Sequence, residues 1–118
     1  GIDNYFVLKP PRYLSEIREH AKGSKYPYGF IERLLIETSK RIRKDNSLVM
    51  VSKPITLASE LRMNAWMQKR QWGRITSTID WCGEIARELG YVERITTRTR
   101  GGELRYEIIL DPRRVVGD

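Results

Sequence analysis

Two adjacent glycines, Gly101-Gly102, constrain this chain more than any other feature, because they separate two segments rich in β-branched and aromatic residues, 91–100 and 103–110. A two-residue loop of that composition takes positive φ angles, which only glycine adopts at little cost, and it joins antiparallel strands. The turn also sets the register: Arg100 opposite Glu103, Thr99 opposite Leu104, Arg98 opposite Arg105, Thr97 opposite Tyr106 and Ile95 opposite Ile108. Ile95, Leu104, Tyr106, Ile108 and Leu110 then share one face that closes over a core. Arg94, Arg98, Arg100 and Arg105 project from the other face and the tip. Arg98 directly across from Arg105 is a like-charge pair, which destabilises a hairpin unless an anion joins it. The hairpin is thereby expected to seek phosphate.

Upstream of the hairpin, Ile75, Ile79, Cys82, Ala86 and Leu89 recur every three or four residues, with Ile85 at the margin of the stripe. This spacing predicts an amphipathic helix from residue 74 or 75 to 89, ended by Gly90 in the left-handed conformation. Cys82 lies inside the stripe and reads as a small buried hydrophobe. In the first half, Phe30, Ile31, Leu34, Leu35, Thr38 and Ile42 form a broad stripe, so a scaffold helix is expected after a linker, GSKYPYG. Its last turns carry Lys40, Arg41, Arg43 and Lys44, where the helix dipole favours cations. The segment LVMVSKPI predicts a short strand that Pro54 confines to a sheet edge. Thr56 is placed to cap a short helix by accepting the amide hydrogen of Ser59, and AWMQKRQW reads as a long, partly helical connection.

The N-terminal residues read as an appendage. Tyr5 to Leu8 predicts an extended strand, stopped by Pro10-Pro11. Leu14, Ile17 and Ala21 predict a short helix from residue 11 or 12 to 22, which must pack on the main body or on a second copy of the chain. His20 reads as a surface or partly buried histidine. The expected division is an extension over 1–26, a domain over 27–112 and a tail over 113–118.

With 118 residues the chain is long enough to bury a real core without metal or disulfide staples. Its single cysteine excludes an internal disulfide and suits a reducing compartment, so a cytoplasmic, nucleoid-associated or nuclear location is expected. No apolar run approaches the roughly 20 residues of a membrane span. A net charge of +7 favours an anionic partner. One histidine and one cysteine do not build a nucleophile–base pair, and there is neither a glycine-rich phosphate loop nor a clustered acidic motif. No catalytic site, metal or cofactor is therefore expected.

The order helix, short strand, helix, helix, hairpin resembles the winged helix-turn-helix superfamily, and the local match is STIDWCGEIARELGYVERI, where a helix ending in Leu-Gly leads into the first wing strand. The resemblance covers roughly residues 28–110. It implies an α+β, mainly α fold: a three-helix core plus a C-terminal β-hairpin wing, here with an N-terminal strand and helix extension. It also implies sequence-preferring binding of double-stranded DNA by a transcription regulator or replication accessory, with dimerisation through the extension as an addition. In such proteins the recognition helix enters the major groove and the wing contacts adjacent backbone. Carried over, Arg74, Thr76, Ser77, Asp80, Trp81 and Glu84 become groove-facing candidates, and Arg98, Arg100 and Arg105 wing contacts.

Lys69 and Arg70 flank the recognition helix and add positive field. The chain departs from the superfamily pattern in two places. About ten residues join the second and third helices instead of a short turn, and Gly83 occupies a position where many members place a core leucine, so something bulky is expected to pack there. From Arg74 to Gly90 two arginines face Asp80, Glu84 and Glu88, which makes the hairpin the better anion site. The competing reading is a protein-interaction winged helix within a larger nucleic-acid-processing assembly; RNA binding is a third.

Overall fold

The computed structural model describes residues 12–45 and 47–116. The chain forms α1 (Tyr13–Ala21), α2 (Tyr26–Arg43), β1 (Val49–Ser52), α3 (Pro54–Glu60), α4 (Asn64–Gln68), α5 (Trp72–Glu88), β2 (Val92–Arg100), β3 (Glu103–Leu110) and α6 (Arg113–Val116). It is a mainly helical α+β structure with one three-stranded antiparallel sheet in the order β1-β3-β2.

The hairpin has the register set by its glycines. Arg100 pairs with Glu103, Thr99 with Leu104, Arg98 with Arg105, Thr97 with Tyr106 and Ile95 with Ile108, while Gly101 and Gly102 take φ of +61° and +80°. A bulge between Val92 and Arg94 turns the start of β2, so that Val92 still pairs with Leu110. β1 adds to the free side of β3, pairing Met50 with Ile108 and Ser52 with Tyr106. Its edge position agrees with Pro54, which has no amide hydrogen to give a further ladder bond.

α5 runs two to three residues earlier than its apolar stripe requires, and it is the element on which the others pack. Ile75, Ile79, Cys82, Gly83, Ile85 and Ala86 are buried on it, and it touches α1, α2, α3, α4 and β2. Each fully buried isoleucine contributes roughly 1.5–3 kcal/mol through apolar surface removed from water. Burial also pushes the Cys82 thiol up to about 12, so it stays protonated at neutral pH. Gly83 has a specific reason to be glycine. A Cβ there would lie 2.8 Å from Cδ1 of Ile95 on β2, so the bare backbone lets the hairpin press against the helix. Ile95 is the bulky residue expected at that position.

Two sequence expectations are corrected. The linker GSKYPYG is largely helical: α2 begins at Tyr26, with Pro27 in the first turn, where its missing amide hydrogen costs nothing. The Ser24 hydroxyl accepts the Tyr26 amide hydrogen at 3.2 Å. Thr56 is no cap. Lys53 occupies the cap position with extended backbone and Pro54 opens α3, which places Thr56 inside the first turn. Residues on both sides of positions 26 and 112 share contacts with one core. Ile17 and Ala21 of α1 are buried in the same core as Phe30 and Ile79, and Val115 packs against it. Arg114 of α6 donates to the Leu89 carbonyl at 2.7 Å and pairs with Glu16 of α1, tying α1 and α6 to the end of α5. Of the two expected placements for the apolar face of α1, the main body receives it, leaving Leu14 exposed. The strand expected at Tyr5 to Leu8 lies outside the described residues.

Two outcomes follow from this packing. Gly83→Ala alone is expected to lower stability by about 1 kcal/mol through overpacking against Ile95. In an Ile95→Val background, which removes Cδ1, the same change should raise stability by about 0.5–1 kcal/mol through helix propensity; urea unfolding of the four proteins measures the coupling. Asp111 is buried and accepts hydrogen bonds from the Arg113 amide at 3.0 Å and guanidinium at 2.7 Å. These bonds hold its carboxyl below the usual range against the opposing effect of burial. Its contribution is therefore present above the unfolded-state value of about 4 and is lost as pH falls through the lower folded value. Asp111→Asn should destabilise at pH 7, with the difference from the parent narrowing below about pH 4 in a thermal-melt series.

Candidate nucleic-acid interface

The eleven-residue connection between α3 and α5, residues 61–71, is an ordered structure with two left-handed corners. α3 ends with the Met63 amide donating to the Ala58 carbonyl at 2.9 Å and the Arg62 amide to the Ser59 carbonyl at 3.1 Å. α4 ends in the same way, Gln71 to Trp66 at 2.9 Å and Arg70 to Met67 at 3.0 Å. These paired bonds define a Schellman ending, whose left-handed position is usually glycine. Here Arg62 at φ 60° and Arg70 at φ 57° occupy it. The ending of α5 has the same bonds with Gly90 at that position, at φ 86°. A left-handed conformation costs a residue with a Cβ roughly 1–2 kcal/mol. Arginine at two such corners places two guanidinium groups at sharp, exposed bends.

No carboxylate occurs between Leu61 and Ile79, and the interval contains Arg62, Lys69, Arg70 and Arg74. All four are exposed, and none forms an ion pair among the described residues. Arg74 instead lies over the ring of Trp66, 4.5 Å from its centroid. Trp66 in turn packs on Tyr26 at 5.2 Å. The acidic residues of α5 begin one turn later, at Asp80, Glu84 and Glu88. The helix is therefore cationic at its N-terminal end and acidic at the other, a division that a charge sum over residues 74–90 conceals.

The hairpin arginines behave otherwise. Arg98 Nε is 3.2 Å from Glu107, and Arg105 Nη2 is 3.1 Å from Glu103. Glu103 also meets Lys53 at 3.4 Å, and Arg105 and then Lys53 hold its carboxyl below the usual range. The like-charge pair is thus relieved from within the hairpin by Glu103 and Glu107, which flank Arg105 on the same face of β3. The repulsion therefore needs no external anion for its relief, and Arg98 stays exposed. The alternation Glu103, Arg105, Glu107 was visible in the sequence and predicts this internal neutralisation. Arg94 and Arg100 are exposed and form no ion pair among the described residues.

The other predicted residues divide in the same manner. Ser77 is exposed, whereas the Thr76 hydroxyl donates back to carbonyls of its own helix, Trp72 at 3.0 Å and Gly73 at 3.3 Å. Asp80 stands beside the buried hydroxyl of Tyr106; partial burial raises its carboxyl, and the hydroxyl opposes that shift. Trp81 is half-buried against the core. Glu84 is bound by Arg87 at 2.8 Å. Asp80, Glu84, Arg87 and Arg94 line a shallow groove of about 530 Å³ between α5 and β2, whose mixed charge suits no simple anion. At the end of α2, Arg41 is committed to Glu37 and to the carbonyls of Ser47 and Val49, which closes the turn into β1. Arg62 and the Tyr26–Trp66 stack escaped the sequence reading. The acid-free interval signals the first; the second joins residues forty apart in sequence and has no local signal.

Among the described residues no three His, Cys, Asp or Glu side chains gather to hold a metal ion, and no helix is long and apolar enough to cross a membrane. The chain is similar to part of the virulence plasmid protein pGP2-D of Chlamydia. Identity to the Chlamydia trachomatis protein is 39% over 101 residues, covering 79% of this chain and 28% of that protein. The Chlamydia muridarum protein is 37% identical over 99 residues, 77% of this chain and 28% of its own length. For Chlamydia psittaci the identity is 36% over 107 residues, 83% of this chain and 31% of the relative. The chain thus spans less than a third of these relatives. No family model and no solved structure matches it.

The left-handed corners yield a stability prediction. Arg70→Gly is expected to stabilise the fold by about 0.5–1 kcal/mol, the relief of Cβ strain less the greater entropy of glycine in the unfolded chain. Arg70→Ala, which keeps the Cβ, should leave stability within about 0.5 kcal/mol of the parent in urea titrations.

Proposed function

We propose that this chain is a winged helix-turn-helix domain that binds double-stranded DNA, entering the major groove with the N-terminal end of α5. The observation that carries the proposal is the set of exposed, unpaired cations Arg62, Lys69, Arg70 and Arg74 at the corners leading into α5 and on its first turn, with no carboxylate until Asp80. Phosphate contacts by arginine and lysine supply most of the affinity of such interfaces, and residues at the start of the recognition helix reach base edges. The arrangement of α2, β1, α3, α5 and the β2–β3 hairpin, with β1 on the free side of β3, agrees with the winged-helix order. Ser77, exposed one turn into α5, is the candidate for a base-edge contact, and Arg94 and Arg100 are candidates for the flanking backbone. The acidic half of α5 projects away from phosphate or accepts from cytosine amino groups. Regulation of transcription and support of replication are both roles for such a domain on a plasmid, where the chlamydial relatives are named.

A salt series of duplex binding tests this reading. Lys69→Ala/Arg70→Ala should reduce the slope of log K against log salt by about two, since each lost phosphate contact removes about 0.9. Arg98→Ala/Arg105→Ala should reduce it by less than about one, because those guanidinium groups already have carboxylate partners. Failure of the parent protein to bind mixed-sequence duplex at low salt would sink the proposal; equal slopes for the two double variants would move the interface to the hairpin.

A further inference from the structure

We infer that Trp66 is a positioning residue for DNA recognition: its ring, braced by Tyr26, holds the Arg74 guanidinium in one orientation so that the N–H fork meets two in-plane acceptors on the duplex. The inference rests on the DNA reading above and extends it to residues that contact no DNA. Arg74 lies on the first exposed turn of α5, where a free arginine side chain samples many rotamers. Its guanidinium carbon is 4.5 Å from the Trp66 centroid, within the range of a cation–π contact. A guanidinium stacked on an aromatic ring uses its face and leaves its N–H edge available. The edge is the part that forms paired hydrogen bonds with guanine or phosphate oxygens.

Trp66 is packed against a second ring as well. Tyr26, on the first turn of α2, packs against it at 5.2 Å with the rings inclined at 49°. Lys25 lies 5.5 Å from the Tyr26 centroid. The stack runs from the start of α2 through α4 to the start of α5, and Trp66 and Tyr26 are both partly buried against the core. A purpose for α4 emerges from this. Between two left-handed corners, one helical turn carries an indole to the side of α5 from which Arg74 emerges. A short turn between α3 and α5 has no residue to do this. Holding a rotamer-rich side chain in its bound orientation lowers the entropy lost on binding, an effect of about 2- to 10-fold in affinity per side chain.

A double-mutant cycle on duplex binding, combined with a salt series, tests the inference. Trp66→Leu should weaken binding by about 2- to 10-fold without changing the salt slope, because the charge of Arg74 remains. In an Arg74→Ala background Trp66→Leu should have no further effect, and Trp66→Phe in the parent should retain most of the affinity because its ring offers a similar face. Should far-UV circular dichroism show that Trp66→Leu does not fold, the Trp66→Phe/Arg74→Ala cycle supplies the same comparison, with a smaller but still coupled loss. Equal losses in both backgrounds, or a salt slope that falls with Trp66, overturn the inference and leave the DNA reading standing. Absence of duplex binding by the parent overturns both.

Discussion

Burial of one face of α5 holds the structure together. Its apolar stripe meets α1 and α2 on the helical side and the hairpin on the other, so every other element is placed by reference to it. The closest approach is at Gly83, where Ile95 fills the volume that a side chain would need. That contact sets how near the sheet comes to the helix, and with it the position of the hairpin tip relative to the exposed face of α5. The first and last described helices are drawn in by the same element: α1 buries Ile17 and Ala21 in the common core, and Arg114 of α6 binds the carbonyl at the end of α5.

Once the frame is in place, its charge is sorted by pairing more than by count. A net charge of +7 is spread over the whole chain, but many of the cations are neutralised locally. Arg33 and Arg41 share Glu37, Arg98 meets Glu107, Arg105 meets Glu103 and Arg113 meets Asp111. Among the described cations without an ion pair, Arg62, Lys69, Arg70 and Arg74 lie together at the corners around α4 and the start of α5, whereas Arg94 and Arg100 lie apart on the hairpin. An ion pair already formed within the protein must be given up before the same guanidinium can serve a phosphate, so exposed pairs contribute less to an external anion than free cations do. On this ground the proposed interface is placed at the start of α5 and not on the hairpin, although the hairpin carries more arginine.

The strained corners belong to the same account. Arg62 and Arg70 sit where glycine is the low-energy choice, and the structure tolerates them because the paired carbonyl bonds of each helix ending determine the backbone there. Arg12, Lys22 and Asp45 take the left-handed conformation as well, so residues with a Cβ mark several helix ends in this chain. Trp66, at the edge of the core, both packs inward and meets Arg74.

Periodicity and turn chemistry alone determined much of this fold. The four-three-four-three spacing on α5, the glycine pair and the edge proline each act within a few residues, so the helix, the hairpin register and the edge placement of β1 were legible from the sequence. The N-terminus of α2 was misplaced because Pro27 and Gly29 read as a linker when taken singly, and only packing against Leu61 makes a glycine there useful. What tertiary structure decided was partnership: which arginines are neutralised, that α1 belongs to the core, and that Tyr26, Trp66 and Arg74 form one stack. Those outcomes depend on side chains brought together from distant positions, whereas propensity and spacing report only on near neighbours along the chain.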